Sequence, residues 1–93
     1  SITQGDTCYI KAKLTWLSKR EDNFCLYSSQ QPKHLQCWQR STKGELTREF
    51  AANANIDFQL RHPGSDLVLA KETLEMAWVY KRNGRSHAVW RLF

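Results

Sequence analysis

Three cysteines and three histidines are among the residues of this 93-residue chain whose types suit metal binding or nucleophilic chemistry. Cys8, Cys25 and Cys37 lack the short spacing of a zinc knuckle, and they form no C-x-x-C motif of a redox enzyme. Widely spaced cysteines in a small β domain are typical of disulfides that compensate for a limited core. We therefore predict a disulfide framework, with no metal and no cofactor.

The odd cysteine count leaves the connectivity open. Cys25 and Cys37 lie on adjacent predicted strands joined by a short loop, which favours a bridge between them. A bridge from Cys8 to either of them remains an alternative. We predict Cys25–Cys37, with Cys8 as an unpaired thiol whose partner lies upstream of Ser1. Because the chain starts at Ser1 without a Met, we expect that a signal peptide and a short N-terminal segment have been removed.

The histidines do not indicate catalysis. His34, His62 and His87 have no cysteine or histidine two or four residues away. A pair of His34 with a Cys37 nucleophile would need an exposed thiolate, which an oxidised cysteine cannot supply. The sequence also has no pair of carboxylates in an apolar setting that would raise a pKa for acid–base catalysis. We predict that the chain is not an enzyme.

The C-terminal region carries the best candidate binding site. Asn83-Gly84 supplies the positive φ angles of a type I′ turn, which predicts a β-hairpin between residues 78–81 and 87–90. Basic and aromatic residues alternate in this hairpin, a pattern that can bind anionic polymers. The candidate binding residues are Tyr80, Lys81, Arg82, Arg85, His87 and Arg91. The alternative, which we favour, is structural: the aromatic rings face the core and the charged tip prevents edge-to-edge aggregation.

The strands that position these candidate residues can be predicted from the alternation of apolar and polar residues. Cys8 to Trp16 alternates apolar and polar residues, which predicts a half-buried strand, and a polar turn follows at 19–23. Residues 68–76 fit strands, with a short helix as the less favoured alternative. Turn signals recur along the chain, and the pattern predicts one all-β domain over residues 1–93. We expect a small antiparallel, immunoglobulin-like β-sandwich of about seven strands.

Charge and composition limit the function classes. Fourteen Lys and Arg against nine Asp and Glu give a net charge of +5. Such a charge suits binding to an anionic partner. A moderate net charge also keeps a small exported domain soluble, and we favour this second interpretation. We expect no nucleic-acid partner. No stretch reaches the roughly 18–20 apolar residues of a membrane helix, so we predict no membrane span. The oligomeric state cannot be predicted.

Six short segments together resemble a known family. They are Gly5-Asp6-Thr7-Cys8-Tyr9, Leu14-Thr15-Trp16, Phe24-Cys25-Leu26-Tyr27, Leu35-Gln36-Cys37-Trp38, Ala77-Trp78-Val79-Tyr80-Lys81 and Trp90-Arg91-Leu92-Phe93. In this order the chain resembles domain-of-unknown-function family 3019, a group of small exported gammaproteobacterial proteins. The resemblance implies export and assigns no activity. It also implies a further cysteine shortly before the segment that holds Cys8.

The sequence therefore predicts a periplasmic, non-enzymatic binding or accessory module. The resemblance links it to envelope sensing by a two-component system, with an envelope protein as its partner. The alternative is a module that binds an anionic polymer such as lipopolysaccharide, a glycan or nucleic acid through the C-terminal hairpin.

Overall fold

The strands of the fold follow the apolar alternation seen in the sequence. In a computed structural model, which describes residues 6–77 and the backbone of 87–91, the alternating segment begins strand β1 (Cys8–Ser28). The other strands are β2 (Gln36–Ala52), β3 (Ile56–Arg61), β4 (Ala70–Leu74) and β5 (His87–Arg91). They form one sheet in the order β2-β1-β3-β4, with antiparallel neighbours, and β5 pairs with β1 in parallel.

Strand β1 is too long to run straight through the molecule. Its 21 residues would extend about 70 Å at roughly 3.3 Å per residue, whereas the longest dimension of the fold is 45 Å. The rings of Trp16 and Phe24, both on β1, lie only 4.6 Å apart. The strand must therefore bend back between them, and the sheet folds into two arms.

The two arms share β1 and β2. The first arm consists of Cys8–Leu17 of β1, Lys43–Ala52 of β2, and β5. The second arm consists of the end of β1 from Phe24 onward, Gln36–Trp38 of β2, β3 and β4. Phe50 on the first arm and Phe58 on the second pack edge to face, 5.3 Å apart. Their inner faces thus enclose a common core.

Irregular pairing produces the bend. The register between β1 and β2 shifts between Leu17 and Asp22 and again between Asp22 and Phe24. Arg40 has a φ of 48°, and its amide donates a hydrogen bond to Asn23 Oδ1 at 2.9 Å. The predicted turn at 19–23 is therefore wrong as a break between two strands, because bulges let these polar residues stay extended within β1.

The predicted alternation is confirmed in the first arm. Every even-numbered residue from Cys8 to Trp16 is buried. On β3 the same pattern buries Ile56, Phe58 and Leu60 and leaves Gln59 and Arg61 partly exposed. Because neighbouring strands present their buried positions to the same side, these residues join one continuous core.

The short helix considered for residues 68–76 is wrong for 70–74, which form β4 beside β3. Leu74 pairs with Ile56 and is buried, and Thr73 donates a 2.6 Å hydrogen bond to Asp57, so tertiary contacts override helix propensity here. The all-β prediction is confirmed. Within the described residues the count is five strands in one folded sheet, short of the predicted seven. No helix in these residues is long and apolar enough to cross a membrane.

Candidate functional site on the outer face of the second arm

The outer face of the second arm gathers polar and aromatic side chains from three strands. On β1, Phe24 and Leu26 point to the core, so Cys25 and Tyr27 lie on the opposite face. The antiparallel register of β1 with β3 sets Arg61 opposite Cys25 and Gln59 opposite Tyr27.

Arg61 and Tyr27 form the centre of this face. The guanidinium carbon of Arg61 lies 4.4 Å from the centre of the Tyr27 ring, within cation–π distance. Arg61 Nε also donates to Gln59 Oε1 at 3.0 Å, and its Nη2 donates to the same oxygen. No carboxylate within the described residues forms an ion pair with Arg61. Its guanidinium is therefore held in place by neutral groups.

A small cavity of about 110 Å³ lies beside this pair. It is lined by Tyr27, Ser28, Ser29, Asp57, Gln59 and Arg61. Asp57 is already engaged, since Thr73 Oγ1 donates to its Oδ1 at 2.6 Å and Lys71 Nζ lies 3.8 Å from its Oδ2. The cavity offers room for a carboxylate-sized group with a few waters, since water occupies about 30 Å³ per molecule.

The predicted disulfide is confirmed next to this cavity. Cys25 and Cys37 are directly opposite on β1 and β2 and are bonded at 2.06 Å. His34 in the preceding loop comes close to them: one of its ring nitrogens and both sulfur atoms lie within 4.8 Å of one another. The Tyr27 ring meets the His34 ring edge to face at 6.2 Å. Tyr27 thus contacts both the Arg61 guanidinium and the His34 imidazole, and the imidazole in turn lies beside the disulfide.

Cys8 is a free thiol, buried at the start of β1. Its Sγ lies 3.8 Å from the carbonyl oxygen of Asp6, a weak hydrogen bond at most. The sequence-based expectation that Cys8 is unpaired within this chain is therefore met, while a partner upstream stays a prediction.

A larger cavity lies at the bend. It measures about 660 Å³ and its described lining is Thr15, Trp16, Leu17, Trp38, Lys43, Gly44 and Glu45. Trp16 Nε1 is buried and has no hydrogen-bond partner in the described part of the chain. This donor does not reach the surface of the cavity, so Trp16 contributes packing here more than recognition.

The predicted hairpin site falls mostly outside the described residues. Tyr80, Lys81, Arg82 and Arg85 lie there, so their binding role stays a prediction. His87 and Arg91 are the first and last residues of β5, whose backbone pairs with Lys11 to Thr15 of β1. The strand predicted at 87–90 is thereby confirmed.

Comparison with known proteins identifies the family. A family model described as "Protein of unknown function (DUF3019)" matches residues 1–92. The chain belongs to this family. No curated protein and no solved structure matches it. The resemblance read from the six segments is thus confirmed for nearly the whole length of the DUF3019 chain.

Sequence reasoning missed the Tyr27–Arg61 site of this DUF3019 protein. The alternation of Phe58 and Leu60 does indicate that Gln59 and Arg61 share an outer face. Strand order and register decide which neighbour they meet, however, and no local pattern gives either. The sequence also places His34 only three residues before Cys37, without indicating that the loop brings it to both sulfurs.

Proposed function

We propose that this chain is a non-enzymatic binding module of the bacterial periplasm that recognises an acidic segment of an envelope protein through Arg61. The observation that carries the proposal is an oriented guanidinium that no described carboxylate neutralises. Arginine is the preferred residue for planar, bidentate recognition of carboxylates. A carboxylate of the partner would take the donors that Gln59 leaves unused.

Preorganisation supports this role. The aromatic face of Tyr27 and the amide oxygen of Gln59 hold the guanidinium from two directions. A ligand therefore has little side-chain entropy to remove when it binds. Lys71 and Thr73 engage the nearby Asp57, which reduces its repulsion of an incoming anion. The net charge of +5 adds a long-range attraction for acidic partners.

Covalent chemistry and the family resemblance support the compartment proposed here. Disulfides persist in oxidising compartments and are rare in the cytosol, and Cys25–Cys37 is such a bond. The family resemblance carries an expectation of export. Both support a periplasmic location and an accessory role in envelope sensing. The two facing arms also support a sandwich-like architecture, as expected for an immunoglobulin-like domain.

A peptide titration tests the site. The probe is a glutamate-rich peptide added to isotope-labelled protein and followed by NMR. We expect the Arg61 Nε–H signal and the Tyr27 signals to shift, with an affinity that falls as salt rises. Arg61→Gln abolishes the shift, whereas the matched variant Arg48→Gln, which removes an exposed arginine of β2, retains it.

Two outcomes would contradict the proposal. One is a set of small shifts spread over the whole surface and equal in both variants, which indicates non-specific charge attraction. The other is cross-linking in the periplasm that yields the same partners for Arg61→Gln and for the unmodified protein. Cross-linked partners that depend on Arg61 and not on Arg48 support the proposal.

A further inference from the structure

The environment of the disulfide contains a third potential metal ligand. Cys25 lies on β1 and Cys37 on β2, and His34 belongs to the loop between these strands. The amide of Leu35 donates to the carbonyl of Leu26 at 2.7 Å, which fixes the end of this loop against β1. The two sulfurs and a His34 ring nitrogen converge within 4.8 Å at the end of this loop.

We infer that these three residues form a zinc site when the disulfide is reduced. Zn²⁺ is bound by cysteine sulfur at about 2.3 Å and by histidine nitrogen at about 2.0–2.1 Å. Ligand atoms around one tetrahedral ion lie about 3.5–4 Å apart at these lengths. In the oxidised chain the two sulfurs are bonded at 2.06 Å, and the His34 ring nitrogen lies within 4.8 Å of both. Once the bond is reduced, side-chain rotation separates the two thiols to the spacing that a zinc ion needs. This site does not depend on the proposed binding function.

The chemistry balances with a thiol reductant. Two equivalents of a thiol reduce the Cys25–Cys37 bond, which gives two cysteine thiols and one external disulfide. Zn²⁺ then displaces both thiol protons, and the neutral His34 imidazole supplies the third ligand. A water molecule takes the fourth position. Disulfide and zinc are therefore mutually exclusive states of the same two sulfurs.

The ligand set favours zinc over Mg²⁺ and Ca²⁺. Two thiolates and a neutral imidazole give a complex without net charge, which suits the burial of Cys25. The set contains no carboxylate, so it is a poor site for Mg²⁺ or Ca²⁺.

Metal titration tests the inference in a Cys8→Ala background, which leaves only the two relevant thiols. The full chain is reduced, freed of reductant without oxygen and titrated with Zn²⁺ against a chromophoric chelator, with Co²⁺ as a spectroscopic probe. We expect one ion per reduced chain and none at this site in the oxidised chain. The Co²⁺ complex gives sulfur-to-metal charge-transfer bands.

Histidine variants assign the third ligand. His34→Ala weakens zinc binding by about tenfold or more, since it removes one of three protein ligands. The matched control His62→Ala leaves zinc affinity unchanged, because His62 stacks on Phe24 and lies near the Asn23 carbonyl. Equal affinities of the His34→Ala and His62→Ala variants would overturn the role of His34.

Circular dichroism keeps the test decisive if reduction unfolds the chain. In that case zinc must restore the folded spectrum of the reduced protein, because binding is then coupled to folding. A reduced chain that stays folded and takes up no zinc would overturn the inference. So would an unfolded reduced chain that zinc does not refold.

Discussion

Trp16 on β1 lies directly opposite Gly44 on β2, and its indole ring covers the glycine so closely that a side chain has no room. A Cβ atom at position 44 would overlap the Trp16 ring and would stand 2.7 Å from Trp38 Cε2. The Trp16 and Trp38 rings themselves meet edge to face at 5.4 Å. The missing side chain of Gly44 therefore lets two tryptophans pack at the bend.

Gly44→Ala is expected to destabilise the fold by about 1–3 kcal/mol, the typical cost of an overpacked core. Urea unfolding measures the loss. The comparison is Gly64→Ala, where a Cβ meets no atom within 4 Å and only the positive φ of 72° opposes the substitution. Tryptophan fluorescence of the folded protein should change in Gly44→Ala and stay constant in Gly64→Ala. Unchanged fluorescence in both would contradict the close packing.

Phe50 links the first arm to the second through its contact with Phe58. Phe50→Ala removes this buried ring and should cost about 3–5 kcal/mol of unfolding free energy. Such a loss is a large share of a typical stability of about 5–15 kcal/mol. The matched control is Tyr9→Ala, since Tyr9 is a neighbouring aromatic residue on β1 that is 65% exposed. Similar losses in both variants would argue against the facing arms.

Local alternation made the strands predictable where one face is buried and the other is wet. The even residues from Cys8 to Trp16 and the strand at Ile56–Leu60 are of this kind. The Cys25–Cys37 bond was also predictable, because a short loop joins the two strands. In each case the signal is local and spans no more than twelve residues.

Features that depend on distant pairing were not predictable. The parallel pairing of β5 with β1 joins segments from opposite ends of the chain. The polar residues Lys19 to Asn23 suit either an exposed turn or a bulged strand, so their pattern does not separate the two. Arg61 meets Tyr27 only through the register of β3 on β1. Contacts between distant segments decide each of these three features, and local patterns in a single sequence do not reveal such contacts.

Arg40 has the left-handed backbone conformation that glycine adopts most easily. This conformation costs a residue with a side chain about 1–2 kcal/mol. Glycine avoids that cost but lowers stability by increasing the conformational entropy of the unfolded chain. Arg40→Gly should therefore leave stability unchanged or raise it by up to about 1 kcal/mol in thermal unfolding. Gln39→Gly, at the exposed neighbour on β2, should lower stability by about 0.5–1 kcal/mol. A larger loss for Arg40→Gly than for Gln39→Gly would contradict the bulge.

Cys8 is only 3% exposed, and its thiol is not bonded to another cysteine. An aromatic disulfide reagent that reports free thiols should therefore leave the native protein unmodified. After unfolding in urea without reductant, we expect one reactive thiol per chain, because Cys25 and Cys37 remain joined. Rapid labelling of the native protein would contradict the burial of Cys8. No labelling after unfolding would show that Cys8 is itself bridged.

Arg61→Lys separates charge from geometry at the proposed site. Lysine keeps the positive charge but lacks the planar fork that lies over Tyr27 and donates twice to Gln59. We expect affinity for a glutamate-rich peptide to fall by about tenfold, since bidentate recognition is lost. Arg48→Lys, on the first arm, should bind as the unmodified protein does. If Arg61→Lys binds as tightly as the unmodified protein, the site recognises net charge and the stacked guanidinium has no special role.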